Sequence, residues 1–325
     1  MSDSHMGSFH PRVLCDVLNE LELREELQHI AASRAANAAH KDLQLSSYVS
    51  YETVEKTFKL KLVSENDGIL IWAENGEEVV LYAQGFLAEL TLPPVTRASR
   101  INPKAAHRTF QYVKLIGPQS EAFEAGMQAV RAIYRFSEQQ FGQGAVLPFE
   151  EGVYGDQGAL VARTRYLNPA RYSAFEDVAI PTVLDPEQLL ATLVQSGNYK
   201  HTVDNVVQYL MFDVNHAHQS AKAVPADPSV FRVGQLVEVG LSFRVVRSRS
   251  VTGVARYRFV TKLDSLLLIS RNGAMRLAER VAILKASRAL NEQPLQIKLG
   301  KRRLIYEEDE DVVLARKKLR DMQID

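Results

Sequence analysis

Apolar and polar positions change period several times along the chain, and each change marks an element. Leu14, Val17, Leu18, Leu21 and Leu23, followed by an alanine-rich stretch to Ala39 with charges between, predict a helix over residues 11–40. Phe58, Leu60 and Leu62 then alternate with Lys59 and Lys61, the two-residue repeat of a half-buried strand. Ile69–Trp72 and Val79–Tyr82 flank Glu74-Asn75-Gly76-Glu77, and an Asn-Gly pair between β-rich runs predicts a hairpin, because both residues tolerate positive φ. Residues 54–92 therefore read as an antiparallel meander, closed by Pro93-Pro94.

Residues 95–108 read as a loop, and Phe110–Ile116 as a strand. Ser120–Phe141 places Phe123, Met127, Val130, Ile133 and Phe141 at helical spacing, with Gly142 to end the helix. Leu160–Leu167 resumes as a strand after a glycine-punctuated region. Asp185 fits the cap of a short helix over 186–196, with Pro186 at its first position. Val206–Phe212 is an apolar run too short for its period to decide, and 218–229 is a connection. The clearest β region is 230–269, where Val237, Val239, Leu241 and Phe243 alternate and Tyr257–Leu268 follows a Thr252-Gly253 turn. Ala274–Ala289 reads as helix, Leu295–Tyr306 as extended and Asp311–Met322 as helix.

These elements predict an α+β fold. An N-terminal helix and antiparallel meander lead to a central helix, then to a β-rich C-terminal half that suggests a barrel. The expected organisation is a cloning remnant over 1–8, an acidic α+β domain over 9–180, and a basic β-rich domain with a C-terminal helix over 181–325. The chain has 325 residues, 46% hydrophobic and 24% charged, and this composition excludes wholesale disorder. One cysteine, Cys15, cannot form an intrachain disulfide and reads as a small core residue. With no signal-peptide pattern and no apolar run near membrane-spanning length, the expectation is a cytoplasmic or nuclear protein with no membrane partner.

Charge changes the picture more than composition does. The net charge is zero, yet residues 232–303 carry sixteen Lys or Arg against four Asp or Glu, and 304–325 carry seven acids against four bases. Arg247 and Arg249 lie two apart on one side of the turn, and Arg256 and Arg258 lie two apart on the other, so each pair shares a face of its strand. With Arg244, and with Lys301, Arg302 and Arg303 further on, they form a candidate nucleic-acid-binding set, Tyr257 and Phe259 pointing to the opposite face. Arginine's planar fork suits bidentate contact with phosphate. The same asymmetry is satisfied if acids of the first part of the chain pair with these arginines internally, or if the partner is an acidic protein. Glu307–Asp311, followed by Arg316–Arg320, complements a helix dipole; the alternative is that this acidic run folds back over the basic stretch.

Catalytic templates are absent. No Gly-x-Gly-x-x-Gly follows a strand, no Gly-Lys-Ser/Thr loop or Gly-x-Ser-x-Gly elbow occurs, and Gly152-x-x-Gly155-x-x-Gly158 has the wrong spacing. His201, His216 and His218, with Asp204 and Asp213 nearby, are the candidate metal ligands of a metal-dependent enzyme. His201-x-x-Asp204 departs from the His-x-Asp/Glu pair of facial-triad iron enzymes, and a polar loop accommodates the same residues. The sequence identifies no cofactor, so a non-enzymatic polyanion-binding protein is the leading expectation. A metal enzyme and an assembly protein with paired acidic and basic parts are its alternatives.

The stretch Asp227-Pro228-Ser229-Val230-Phe231-Arg232-Val233-Gly234-Gln235-Leu236-Val237-Glu238-Val239, with Arg258–Leu263 and the upstream His201–Tyr209, resembles a family of uncharacterised fungal proteins. The resemblance covers about residues 198–270 and implies a eukaryotic source and no particular activity.

Overall fold

The computed structural model describes residues 11–64, 67–142, 144–172, 175–212, 222–248, 256–291 and 310–321. Its elements in chain order begin with α1 (Pro11–Leu18), α2 (Leu21–Ala36), α3 (Ala38–Lys41) and α4 (Tyr51–Thr57). Then come β1 (Phe58–Ser64), β2 (Asp67–Trp72), β3 (Leu81–Thr91), β4 (Phe110–Ile116) and α5 (Glu121–Phe141). They are followed by β5 (Gly152–Tyr154), β6 (Gln157–Arg165), β7 (Asn168–Pro169), α6 (Leu189–Gln195), β8 (Tyr199–Lys200), β9 (Gln208–Phe212) and β10 (Ala223–Pro225). The last are β11 (Leu236–Ser248), β12 (Arg256–Ser270), α7 (Asn272–Asn291) and α8 (Glu310–Asp321). The fold is α+β, as the alternating periods predict.

The expected helix over 11–40 is three helices. The Asn37 side chain accepts from Ala39 N at 3.0 Å, a local bond that competes with the helical ladder and caps α3 as α2 ends. The meander also differs from expectation. Gly76 takes φ +74 at the Asn-Gly turn, but the chain returns only as far as the Ile71–Glu78 bridge. β3 then runs along β11 in the same direction as β2, each antiparallel to it. Residues 54–57 of the expected meander belong to helix α4, which the Ser50 side chain caps by accepting from Thr53 N.

The main sheet has the order β10-β9-β12-β11-β3-β4-β6-β5, with β1 and β2 branching from β11. It joins strands from both sides of residue 180 through β11–β3 and β11–β2. The chain divides instead into Met1–Ala282 and Ile283–Asp325. Among the described residues no closed barrel forms, although β6 comes up against β12. There the Thr164 hydroxyl donates to Leu263 O at 2.6 Å and the Thr261 hydroxyl to Val161 O, so side chains span a seam that, among the described residues, no main-chain ladder crosses.

Against one face of this sheet lies α5, capped by Ser120 and ended by Gly142 at φ +93. Its Phe123, Met127, Val130, Ile133 and Phe136 are buried, and each large side chain so covered contributes about 1.5–3 kcal/mol. Tyr134 meets Phe259 edge-on at 5.7 Å and Phe141 meets Tyr257 at 4.5 Å, which turns that face of β12 inward. A second core gathers Leu14, Leu18, Leu27 and Leu277 of α1, α2 and α7 around Phe86, Ile116 and Leu236, with Cys15 only partly buried beside it. A third places Leu190 and Tyr199 against Val95, Ile101, Tyr166 and Leu167. The short helix expected over 186–196 is α6, which begins at Leu189 with Gln188 at its N-cap and Pro186 outside it; Asp185 still accepts from Leu189 N at 2.8 Å and Ala191 N at 2.9 Å.

Candidate nucleic-acid interface

Register decides where the ribbon arginines point. In the β11–β12 ladder Arg244 opposes Val260, Val246 opposes Arg258 and Ser248 opposes Arg256, whereas Arg247 opposes Tyr257. Directly opposed residues share a face. Arg244, Arg256, Arg258 and Lys262 therefore lie on the face away from α5, and Arg247 lies with Tyr257 and Phe259 on the other. The expected single-faced array of ribbon arginines is not formed. Spacing along a strand fixes which residues of that strand share a face, but the offset between strands fixes whether two such pairs coincide. Arg249, Lys301, Arg302 and Arg303 lie outside the described residues.

Arg244 is 5% exposed and already neutralised. Its guanidinium lies 2.6 Å from Asp204, 3.1 Å from Glu78 and 3.8 Å from Asp67, with the Phe175 ring 5.1 Å away. Burial alone would lower its pKa, but Asp204, Glu78 and Asp67 outweigh it and raise the value. Lys262 approaches Asp204 at 3.5 Å and is bonded to Asp264. Burial pushes Asp67 up to about 6, against the attraction of Arg244 and with help from the nearby Asp204. For Arg244, the reading in which earlier acids satisfy the basic ribbon is the one realised.

The segment after His201 is built to deliver Asp204. Asn205 Oδ1 accepts from Thr202 N at 2.9 Å, its Nδ2 donates to Arg165 O at 3.1 Å, and Gln111 Nε2 donates to Asn205 O at 2.9 Å. His201 is buried, and its Nδ1 lies 3.1 Å from Val178 O, whose residue donates its own N–H to His201 O at 2.9 Å. Burial lowers the His201 pKa, with the Val178 bond opposing. That geometry ties two stretches of chain together. Among the described residues no three His, Cys, Asp or Glu are arranged to hold a metal, and His216 and His218 lie outside those residues.

Away from Arg244 the same face stays basic. Arg256 and Arg258 are exposed, and among the described residues no carboxylate lies within ion-pair distance of either. Across the seam, β6 adds Arg163 and Arg165, opposed on β4 by Tyr112 and Phe110. The Arg163 guanidinium sits 4.9 Å from the centre of the Phe110 ring. Its pKa is lowered by burial first, then by the positive charges of Arg258 and Arg165. Burial lowers Arg165 as well, with Asp67 and Asp204 pulling the other way from beyond ion-pair distance. Arg163 and Arg165 were not among the residues expected from sequence. Their signal was the same arginine-x-arginine spacing within a strand, but it lies outside the basic window and meets Arg258 only through the fold.

No known protein family, curated protein or solved structure matches the chain. Among the described residues no helix is long and apolar enough to cross a membrane.

Proposed function

We propose that the protein is a non-enzymatic binding protein for a polyanion, nucleic acid, whose phosphates it holds along the β6–β12 seam through Arg163, Arg165, Arg256 and Arg258. The observation that supports this reading is the position of Arg163. It lies two residues from Arg165 on one face of β6, with its guanidinium 4.9 Å from the Phe110 ring centre, and its charge is disfavoured first by burial and then by the neighbouring Arg258 and Arg165. Like charges held together cost stability, and an anion placed among them offsets that cost. Phosphate supplies the charge and accepts from the guanidinium fork with matched geometry. Contacts of this type read charge rather than sequence.

The test is fluorescence anisotropy of a labelled oligonucleotide across a salt series. Affinity should fall steeply as salt rises, and Arg258→Ala should flatten the log–log slope by about one phosphate contact, roughly 0.7–0.9. Arg247→Ala, on the opposite face, should leave the slope alone. Absence of binding at low ionic strength would end the proposal.

A further inference from the structure

Beside the arginines, on the same face, stand two aromatic rings. Phe110 and Tyr112 lie two residues apart on β4 and oppose Arg165 and Arg163 in the β4–β6 ladder. Rings and guanidinium groups therefore form two adjacent rows. Both rings are half-buried, and neither belongs to the apolar cores that hold the rest of the fold together. The Tyr112 hydroxyl donates to Glu89 at 3.3 Å, and Glu89 pairs with Lys114 at 2.9 Å, which bounds the basic strip at that end.

We infer that the ligand of this face is single-stranded nucleic acid, with bases on Phe110 and Tyr112 and phosphates on Arg163 and Arg258; this rests on the function proposed above. An aromatic ring contributes to nucleic-acid binding by taking a base on its π-face, and a base is available for that only when it is not closed within a duplex stack. Spacing agrees. Residues two apart on a strand are separated by about 6.4–6.8 Å. Successive bases within one strand of a duplex are about 3.4 Å apart. A chain that places one base on each ring must be drawn out to about twice the duplex rise, which a single strand does readily and a duplex does not. An acidic polypeptide would satisfy the arginines and leave the rings without a role.

The experiment compares a labelled twenty-nucleotide oligothymidylate with a twenty-base-pair duplex at low salt. It uses the full chain and the variants Phe110→Ala, Phe110→Leu and Tyr112→Ala. The single strand should bind at least tenfold tighter than the duplex, and Phe110→Ala should weaken single-strand binding about tenfold while leaving duplex binding unchanged. Phe110→Leu keeps apolar bulk under Arg163 but removes the ring, so it should lose the same affinity in a protein with unchanged thermal unfolding. Ultraviolet crosslinking of the oligothymidylate, mapped by mass spectrometry, should place adducts at or beside Phe110 and Tyr112. Equal affinity for the two nucleic acids, indifferent to the ring variants, would overturn this inference and leave the proposed function standing. Binding to neither, or tighter binding to poly-glutamate than to either nucleic acid, would overturn both.

Discussion

The Asp204 carboxylate lies 2.6 Å from the Arg244 guanidinium, and the pair closes part of the basic ribbon against the segment that follows His201. Asp67 and Glu78 complete the neutralisation. The ribbon is thus divided in function along its length. Its Arg244 end is a structural ion-pair network, and its Arg256–Arg258 end carries the exposed charge.

That division predicts opposite consequences for two arginines of one face. Arg244→Met should destabilise the fold by about 3–5 kcal/mol, because it leaves three carboxylates close together with one buried cation fewer. Arg258→Ala should change stability by no more than about 0.5 kcal/mol while weakening polyanion binding. Urea unfolding measures both. In the double variant Arg244→Met/Asp204→Asn the loss should fall short of the sum of the singles, since each removes part of the other's reason for being there.

Much of this architecture was legible in the chain. The alternation in Val237–Phe243 and Tyr257–Leu268 locates the long β11–β12 hairpin, and the apolar stripe of Phe123–Phe141 gives α5 with its partner face. The offset between β11 and β12 was not legible. It is set where two strands meet, and a shift of one residue would have put Arg247 with Arg258 rather than with Tyr257. Nor could local pattern show that Arg163 faces Arg258, because β6 and β12 meet only when the sheet curls. Asp204 was visible as a carboxylate near the candidate ligands His201, His216 and His218, but its cation is Arg244. The charge asymmetry did contain that answer, since a basic ribbon in a neutral chain needs acids from elsewhere.

The seam itself is a point of attack. Thr164→Val is nearly the same shape but cannot donate to Leu263 O, where no strand ladder supplies a replacement. The expected cost is about 1–3 kcal/mol for leaving a buried carbonyl without its partner. Amide exchange should quicken in β6 and β12 more than in β3 or β4. Uniform exchange across the sheet would mean that the hydroxyl does not hold the seam.

A close backbone approach fixes where α7 begins. A Cβ added at Gly273 would come within 2.3 Å of Gly234 O, and Gly234 itself takes φ +87. Gly273→Ala therefore forces the start of α7 away from the turn before β11. A loss of about 1–3 kcal/mol should appear in thermal or urea unfolding. A neutral or stabilising Gly273→Ala would show that the helix start has room to move.

The sharpest dependence on pH should come from Asp67. Its carboxyl titrates at about 6 in the folded protein against an ordinary value of 3.8, so the folded state keeps a proton that the unfolded chain has released between those two values. For an acid raised in this way, stability is greatest with the proton bound and declines as pH rises from about 4 to about 6, then levels. With the carboxyl partly reached by solvent, the decline is on the order of 2 kcal/mol. Asp67→Asn carries no such proton, so the stability of the wild type relative to this variant should fall by that amount across the window. A wild-type advantage that instead grows between pH 4 and 6 would mean that Arg244 holds Asp67 ionised more strongly than burial opposes it.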